Sequence, residues 1–207
     1  MAETMSPSTI TAGQVGKVQE LLGAALRKSD LQSEPTQQVL ENQGELLVAE
    51  LVAVIRKRVE AVSKMITRRV SVNRTRTSQQ AIDATGRKQY INSDVVAAMP
   101  KGTGDEVEVI FFQPRPEAFK NGVISDDGLA KVFDFFGLVP ADPYSLAAVN
   151  EVDPSFADEH PNGTHWQDAD GKWCYAAFDR WFDERYVYVR RDDDAWHDGW
   201  WFAGLRK

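Results

Sequence analysis

Two runs of apolar residues with helical spacing open the chain. From Val15 to Leu26, apolar residues recur every three or four positions, which predicts an amphipathic helix. A longer helix is predicted from about Thr36 to about Ile66. One of its stripes alternates steps of four and three residues and consists of Val48, Val52, Ile55, Val59, Val62 and Ile66. This spacing is typical of a coiled-coil seam about three heptads long. Residues 1–66 are therefore predicted to form a helical arm, with residues 1–11 disordered.

The apolar face of the longer helix is wider than the seam alone. A second stripe lies beside it and consists of Leu40, Leu47, Leu51 and Val54. An apolar face of this width packs on more than one partner. Two alternatives follow: the first helix folds back on the seam as a helical hairpin, or another subunit covers the seam. The second alternative predicts a homo-oligomer.

Shorter helices are predicted beyond residue 66 from their capping residues. Thr77 with Gln80 forms the pattern of a capping box. Ser125 and Asp142 are typical N-cap residues, and each precedes a run of helical periodicity. These signals predict helical segments that alternate with strands.

The strand signals lie mostly in the C-terminal half. Glu106–Phe112 is rich in β-branched and aromatic residues. Asp168–Gly171 separates two such runs and predicts a hairpin turn, and residues 186–191 and 200–204 form a second pair of runs. Residues 67–207 are therefore predicted to be an α+β domain, with a mostly antiparallel sheet of about five strands and helices packed on one face.

Charge is segregated along the chain. The net charge of −7 divides into −4 for residues 1–55, +8 for residues 56–90, 0 for residues 91–104 and −11 for residues 105–207. Local fields, rather than the total charge, decide which partner a surface attracts. The segment 56–90, called here the basic strip, is therefore the first candidate binding region. Its candidate partner-binding or nucleic-acid-binding residues are Arg56, Arg58, Lys64, Arg68, Arg69, Arg74, Arg76, Arg87 and Lys88.

Two hypotheses account for the basic strip. In the first, its arginines pair with acidic residues of the C-terminal half or of a neighbouring subunit, and the protein is a non-enzymatic structural or interaction protein that assembles through its arm and its complementary charged faces. In the alternative, the strip grips the phosphate backbone of DNA or RNA without reading the bases.

All six tryptophans lie between residues 166 and 201. Adjacent residues of a strand point to opposite faces, so Trp200 and Trp201 cannot both enter one core layer. We therefore expect an interaction surface at this pair.

No catalytic signature emerges from the sequence, so an enzyme is the less favoured class. A Cys174–His165 pair depends on the hairpin register: a four-residue loop places the two side chains opposite each other, whereas a three-residue loop with a glycine bulge pairs Cys174 with Trp166. His197 lies among Asp192, Asp193, Asp194 and Asp198, which favours a solvated acidic loop over a metal site. No metal, cofactor or small-molecule substrate is predicted.

Four short stretches carry a resemblance that extends from about Ile55 to the C-terminus. They are residues 73–77 (NRTRT), 84–87 (ATGR), 141–146 (ADPYSL) and 200–207 (WWFAGLRK). With them the chain resembles a family of bacterial hypothetical proteins from uncultivated lineages, to which no activity is assigned. The resemblance implies one folded unit that ends at Lys207, and it implies nothing about mechanism.

The location of the protein is predicted from two further features. Residues 1–11 lack the basic and apolar regions of a secretory signal. The chain has a single cysteine, which fits a reducing compartment. We therefore expect a cytoplasmic protein with no membrane span.

Overall fold

The chain divides into two compact units. The computed structural model describes residues 10–191 and 195–207. The first, called here the helical unit, ends at Ser63. The second is called here the compact unit, and its described residues run from Lys64 to Lys207 except for residues 192–194. The prediction of disorder for residues 1–11 falls mainly on residues 1–9, which lie outside the described residues. Thr11 is the N-cap of the first helix, where it forms a capping box with Gln14.

Among the described residues there are seven α-helices, one 3₁₀ turn (Pro116–Ala118) and ten strands. The helices are α1 (Ala12–Arg27), α2 (Ser33–Ser63), α3 (Ser78–Asp83), α4 (Ser93–Ala97), α5 (Asp126–Phe135), α6 (Pro143–Val152) and α7 (Phe156–Glu159). The strands are β1 (Met65–Ser71), β2 (Lys88–Ile91), β3 (Glu106–Phe112), β4 (Val123–Ile124), β5 (Leu138–Pro140), β6 (Asn162–Gln167), β7 (Trp173–Trp181), β8 (Glu184–Arg191), β9 (Trp196–His197) and β10 (Trp201–Arg206).

The helical unit consists of α1 and α2, and neither helix contains a buried residue. The hairpin alternative, in which α1 covers the seam, is therefore not what the structure shows. Helix α2 ends at Ser63, where Lys64 takes a left-handed backbone conformation with φ of 54°. Ile66 lies in β1 and is 1% exposed. The seam on α2 therefore ends at Val62, and Ile66 belongs to the core of the compact unit.

The compact unit is built on an eight-stranded mixed sheet. Seven strands follow the order β1-β3-β10-β6-β7-β8-β2, and β5 also pairs with β10. The β10–β6 and β2–β8 pairs are parallel, and the others are antiparallel. The α+β class is confirmed, but the predicted sheet of about five mostly antiparallel strands is wrong. The short strands β2 and β5 join the sheet through partners distant in sequence, which local patterns do not reveal.

The predicted pairing of residues 186–191 with residues 200–204 is also wrong. Strand β8 lies between β7 and β2. Strand β10 pairs with β3 along one edge and with β6 and β5 along the other. The hairpin across Asp168–Gly171 does form, from β6 and β7. A turn between two strands predicts a hairpin only when no other strand competes for the same edge.

The two faces of the sheet carry separate cores. Successive side chains of a strand alternate between faces, so Phe111 enters one cluster and Phe112 the other. Helices α3, α4, α6 and α7 cover the first face, which we call face A. Helix α5 packs on the opposite face, called here face B, through Leu129 and Phe133, beside the two-stranded β4–β9 ribbon. The prediction that all helices pack on one face is therefore wrong, because an amphipathic helix has the same sequence pattern whichever face it covers.

The predicted helix caps are confirmed. Thr77 and Gln80 form the capping box of α3. The Ser125 side chain accepts a hydrogen bond from the Gly128 N–H at the start of α5, and Asp142 caps α6. No helix among residues 10–191 and 195–207 combines the length and apolar character needed to cross a membrane.

Candidate functional site

The seam on α2 is an open apolar surface. Its side chains are 59%, 48%, 37%, 58% and 87% exposed at Val48, Val52, Ile55, Val59 and Val62 respectively. Helix α1 adds exposed leucines at positions 21, 22 and 26. Large exposed apolar surfaces mark contact sites with other molecules. Arg56 and Arg58, two residues of the predicted basic strip, lie on α2 and are also exposed.

Arg74 is the most enclosed ion-pair residue of the basic strip. Its guanidinium lies 2.8 Å from Asp142 Oδ1 and 3.0 Å from Ser145 Oγ, and the two charged side chains are only 12% and 7% exposed. It also donates to the backbone carbonyls of residues 101, 103 and 104. Asp142 in turn caps α6. Arg74 therefore joins the loop before β3 to the start of α6.

Arg76 and Arg87 also have partners inside the compact unit. Arg76 makes two hydrogen bonds to the Glu151 carboxylate, at 2.5 and 3.0 Å, and these raise the pKa of Arg76. Arg87 is 6% exposed and donates to the Asp179 carbonyl, the Pro154 carbonyl and the Asn150 side chain. Burial lowers the pKa of Arg87. Both guanidinium groups are engaged by the fold.

The other strip residues lie nearer the surface. Arg69 pairs with Glu108 at 3.1 Å while its side chain is 83% exposed. Lys88 pairs with Glu184 at 2.7 Å, which raises the pKa of Lys88. The Arg68 guanidinium lies 5.0 Å from the centre of the Phe156 ring, and Lys64 is exposed.

The structure therefore divides the predicted strip between two environments. Arg56 and Arg58 belong to the helical unit, and the remaining residues belong to the compact unit. In the compact unit, Arg69, Arg74, Arg76 and Lys88 pair with carboxylates of residues 105–207, namely Glu108, Asp142, Glu151 and Glu184. Much of the positive charge between residues 67 and 90 is thus compensated within one copy of the chain.

Trp200 and Trp201 enter opposite faces of the sheet. Trp201 is 7% exposed on face A, where its ring meets His160 edge-on at 5.0 Å. Trp200 is half-buried on face B and lines a cavity. Among the described residues, Trp181 and Phe182 at the β7–β8 turn are the most exposed aromatic side chains, at 63% and 85%.

Cys174 lies opposite Trp166 in the β6–β7 register, and His165 lies opposite Tyr175. Of the two hairpin alternatives, the structure adopts the one that places Cys174 and His165 on opposite faces of the sheet. Cys174 is buried, and burial raises the pKa of its thiol. A Cys–His pair is therefore excluded.

His165 instead forms a buried pair with Asp126. Its Nδ1 lies 2.5 Å from Asp126 Oδ1, which also accepts a hydrogen bond from Trp196 Nε1 at 3.1 Å. The imidazole is stacked on Trp173 with ring centres 4.5 Å apart, and its side chain is 0% exposed. No described residue gives His165 Nε2 a hydrogen-bond partner. Because the ring is sealed from solvent, we assign this pair to the core, where it fixes the start of α5 against β6.

The acidic loops contain no described metal centre. Asp192, Asp193 and Asp194 lie outside the described residues, and His197 and Asp198 are exposed. Asp168 accepts hydrogen bonds from the backbone N–H of Lys172 and from Arg191, which lower its pKa. In the part of the chain that the structure describes, no three His, Cys, Asp or Glu side chains are grouped to hold a metal ion.

Asp179 and Tyr188 are not among the residues predicted from the sequence, yet both line the cavity beside Trp200. The pattern that indicates them is the alternation of Tyr175, Ala177 and Asp179 along β7, which places all three on one face of the sheet. Tyr188 lies opposite Ala177 in β8 and shares that face.

Comparison with protein-family models, with curated proteins and with solved structures gives no match to this chain.

Proposed function

We propose that this protein is a non-enzymatic assembly component that associates with a second copy of itself through α2. The observation that carries the proposal is the exposed seam from Val48 to Val62, on a helix of 31 residues with no buried side chain. An isolated helix is only marginally stable in water, and tertiary or intermolecular packing supplies most of its stability. Burying a fully exposed valine or isoleucine contributes about 1.5 to 3 kcal/mol, and each partly exposed seam residue contributes a fraction of this, which must exceed the entropic cost of association.

The charges of α2 favour an antiparallel pair. The first part of the helix is acidic, with Glu34, Glu41, Glu45 and Glu50, whereas residues 56–58 are all basic. A parallel pair would place the two basic clusters side by side. An antiparallel pair that sets Val52 against Ile55 of the second copy brings the basic residues 56–58 level with residues 49–51 of that copy, which include Glu50. The macrodipoles of the two helices also oppose each other in this arrangement.

The pairing of charges inside the compact unit supports the same proposal. Because carboxylates of the same chain pair with Arg74, Arg76 and Lys88, these residues are engaged by the fold, and the exposed apolar side chains of the seam are the better candidates for contact with a second copy. The chain has a single cysteine, which fits a reducing compartment, and on that ground we propose a cytoplasmic location.

Light scattering coupled to size exclusion tests the proposal. We expect the full chain to have twice its monomer mass, and the double variant Val52→Glu/Val59→Glu to be monomeric, because it places charges in the seam. Val152→Glu is the matched control, since Val152 is 71% exposed outside the helical unit, and it should remain dimeric. A monomeric wild type, or a dimer that survives the double substitution, contradicts the proposal.

A second candidate function is sequence-independent binding of DNA or RNA by the helical end of the basic strip. The observation that favours it is the exposure of Arg56 and Arg58 on α2. Two phosphate contacts predict that the logarithm of duplex-DNA affinity falls with the logarithm of salt concentration at a slope of about −2. Fluorescence anisotropy with a labelled duplex measures this slope. Binding that persists in an Arg56→Glu/Arg58→Glu variant would exclude this use of the strip.

A further inference from the structure

Face B contains a cavity of about 190 Å³ between β7, β8 and the segment that precedes β10. Its lining is Tyr175, Ala177, Asp179, Tyr188, Ala195, Trp196, His197 and Trp200. Tyrosine and tryptophan contribute four of these residues, His197 adds an imidazole ring, and Asp179 is the one carboxylate. Pockets for drug-sized ligands measure about 300 to 1,000 Å³. This cavity is smaller, so it suits a small head group.

The aromatic rings form walls at steep angles to one another. Tyr175 and Trp196 lie edge to face with ring centres 5.4 Å apart and an interplanar angle of 75°. Trp196 and Trp200 repeat this arrangement at 5.5 Å and 76°. Trp196 is 6% exposed and packs against Phe202 in the core, so the central wall is held rigidly. The electron-rich faces of such rings attract cations.

Asp179 supplies a negative charge to the same cavity. Its Oδ1 is buried and has no hydrogen-bond partner among the described residues. Burial raises the pKa of the Asp179 carboxyl, whereas the Arg87 charge and a hydrogen bond from the Tyr188 hydroxyl to the carboxyl group lower it. Oδ1 is the oxygen that is left without a donor. Burial and the nearby Asp179 charge also raise the pKa of Tyr188 to about 12. A buried oxygen without a donor is costly, and a cation in the cavity would compensate it.

The chemistry of the lining selects the kind of cation. Calcium or magnesium requires several oxygen ligands, whereas this cavity offers one carboxylate among aromatic rings. A primary ammonium brings three N–H donors, each of which needs an acceptor, and the lining side chains offer one charged acceptor, Asp179, beside two tyrosine hydroxyls and the His197 ring. A quaternary ammonium has no N–H group, and its methyl groups pack against aromatic faces while its charge interacts with the rings and the carboxylate.

We propose that this cavity binds a quaternary ammonium head group, with Tyr175, Trp196 and Trp200 as the walls and Asp179 as the counter-charge. Arg87 does not compete for the carboxylate from within the cavity, because its guanidinium lies against Phe178 on face A, with its centre 5.5 Å from that ring. Lys88, which shares face B with Tyr186, is held by Glu184. All residues of this site belong to the compact unit.

Ligand-observed NMR on the full chain tests the site with choline, because broadening of the choline methyl resonance reports weak binding directly. We expect broadening at millimolar choline, and affinity about tenfold lower for Asp179→Asn and for Trp200→Leu. Asp183→Asn and Trp181→Leu are the matched controls, since both residues are exposed on the β7–β8 turn, outside the cavity. Both controls should bind as the wild type does.

The neutral isostere 3,3-dimethyl-1-butanol separates a cation site from a merely apolar one. It has the shape of choline without the charge, and we expect it to bind at least about tenfold more weakly. Trimethyl-lysine carries the same head group, so its affinity relative to choline shows whether a free small molecule or a methylated side chain fits better. Equal binding of the isostere, unchanged affinity in both cavity variants, or no broadening by choline would overturn the proposal.

Discussion

Replacing Arg74 by alanine should destabilise the compact unit strongly. The substitution leaves the Asp142 carboxylate, which is 7% exposed, without its guanidinium partner, and removes the donors to three backbone carbonyls. Removing one partner of a buried ion pair costs about 3 to 5 kcal/mol. For a unit of roughly 140 residues, each kcal/mol lowers the melting temperature by about 3 °C. The expected decrease is therefore about 10 to 15 °C.

Urea denaturation followed by tryptophan fluorescence measures this effect. All six tryptophans lie in the compact unit, so the signal does not report on the helical unit. With an m-value of about 2 kcal/mol per M, the midpoint should fall by roughly 2 M. Arg69→Ala is the matched control, because Arg69 also pairs with a carboxylate but is 83% exposed, and it should cost about 1 kcal/mol or less.

The comparison between these two variants decides the role of the strip. If Arg74→Ala lowers the urea midpoint no more than Arg69→Ala does, the enclosed network does not hold the loop before β3 against α6. Arg74 would then be available to bind an external anion. That result would support nucleic-acid binding by Arg74, which the geometry assigns to an ion pair within the fold.

Two further predictions concern groups whose ordinary chemistry is altered by burial. Asp179→Asn should raise the melting temperature at pH 7, because a carboxyl whose folded pKa is raised destabilises the folded state above its unfolded pKa of about 3.9. Thermal melts across pH should show that gain shrink as the pH falls toward about 4, and a gain independent of pH would refute the assignment. Cys174 should react with Ellman's reagent only when urea unfolds the compact unit, since the thiol is buried and its pKa is raised. Rapid labelling of the native chain would contradict the geometry.

The confirmed sequence predictions depend on neighbouring residues. Thr77 and Gln80 are three residues apart, so their reciprocal hydrogen bonds can be recognised from the pattern alone. The same holds for the N-caps at Ser125 and Asp142. The hairpin across Asp168–Gly171 was predictable as a hairpin, but its register remained a choice between two loop lengths.

The candidate sites were predictable only in part. The apolar stripe on α2 follows from the spacing of Val48 to Val62, because helical geometry places these residues on one face, but only the structure shows that α1 leaves the stripe exposed. The cavity beside Trp200 does not follow in this way. It needs Tyr175 and Asp179 of β7 to meet Trp196 and Trp200, which approach them through the β4–β9 ribbon and the segment before β10.

The sequence by itself determined the α+β class, the apolar stripe of α2 and the segregation of charge into a basic strip and an acidic half. Only the tertiary structure decided that Arg74 is enclosed with Asp142, that β2 pairs with β8, and that Trp200 faces a cavity. The physical reason is the range of the interactions. Caps and periodic faces are set by residues within one or two turns, whereas ion-pair partners and strand neighbours lie tens of residues apart and are selected by the packing of the whole unit.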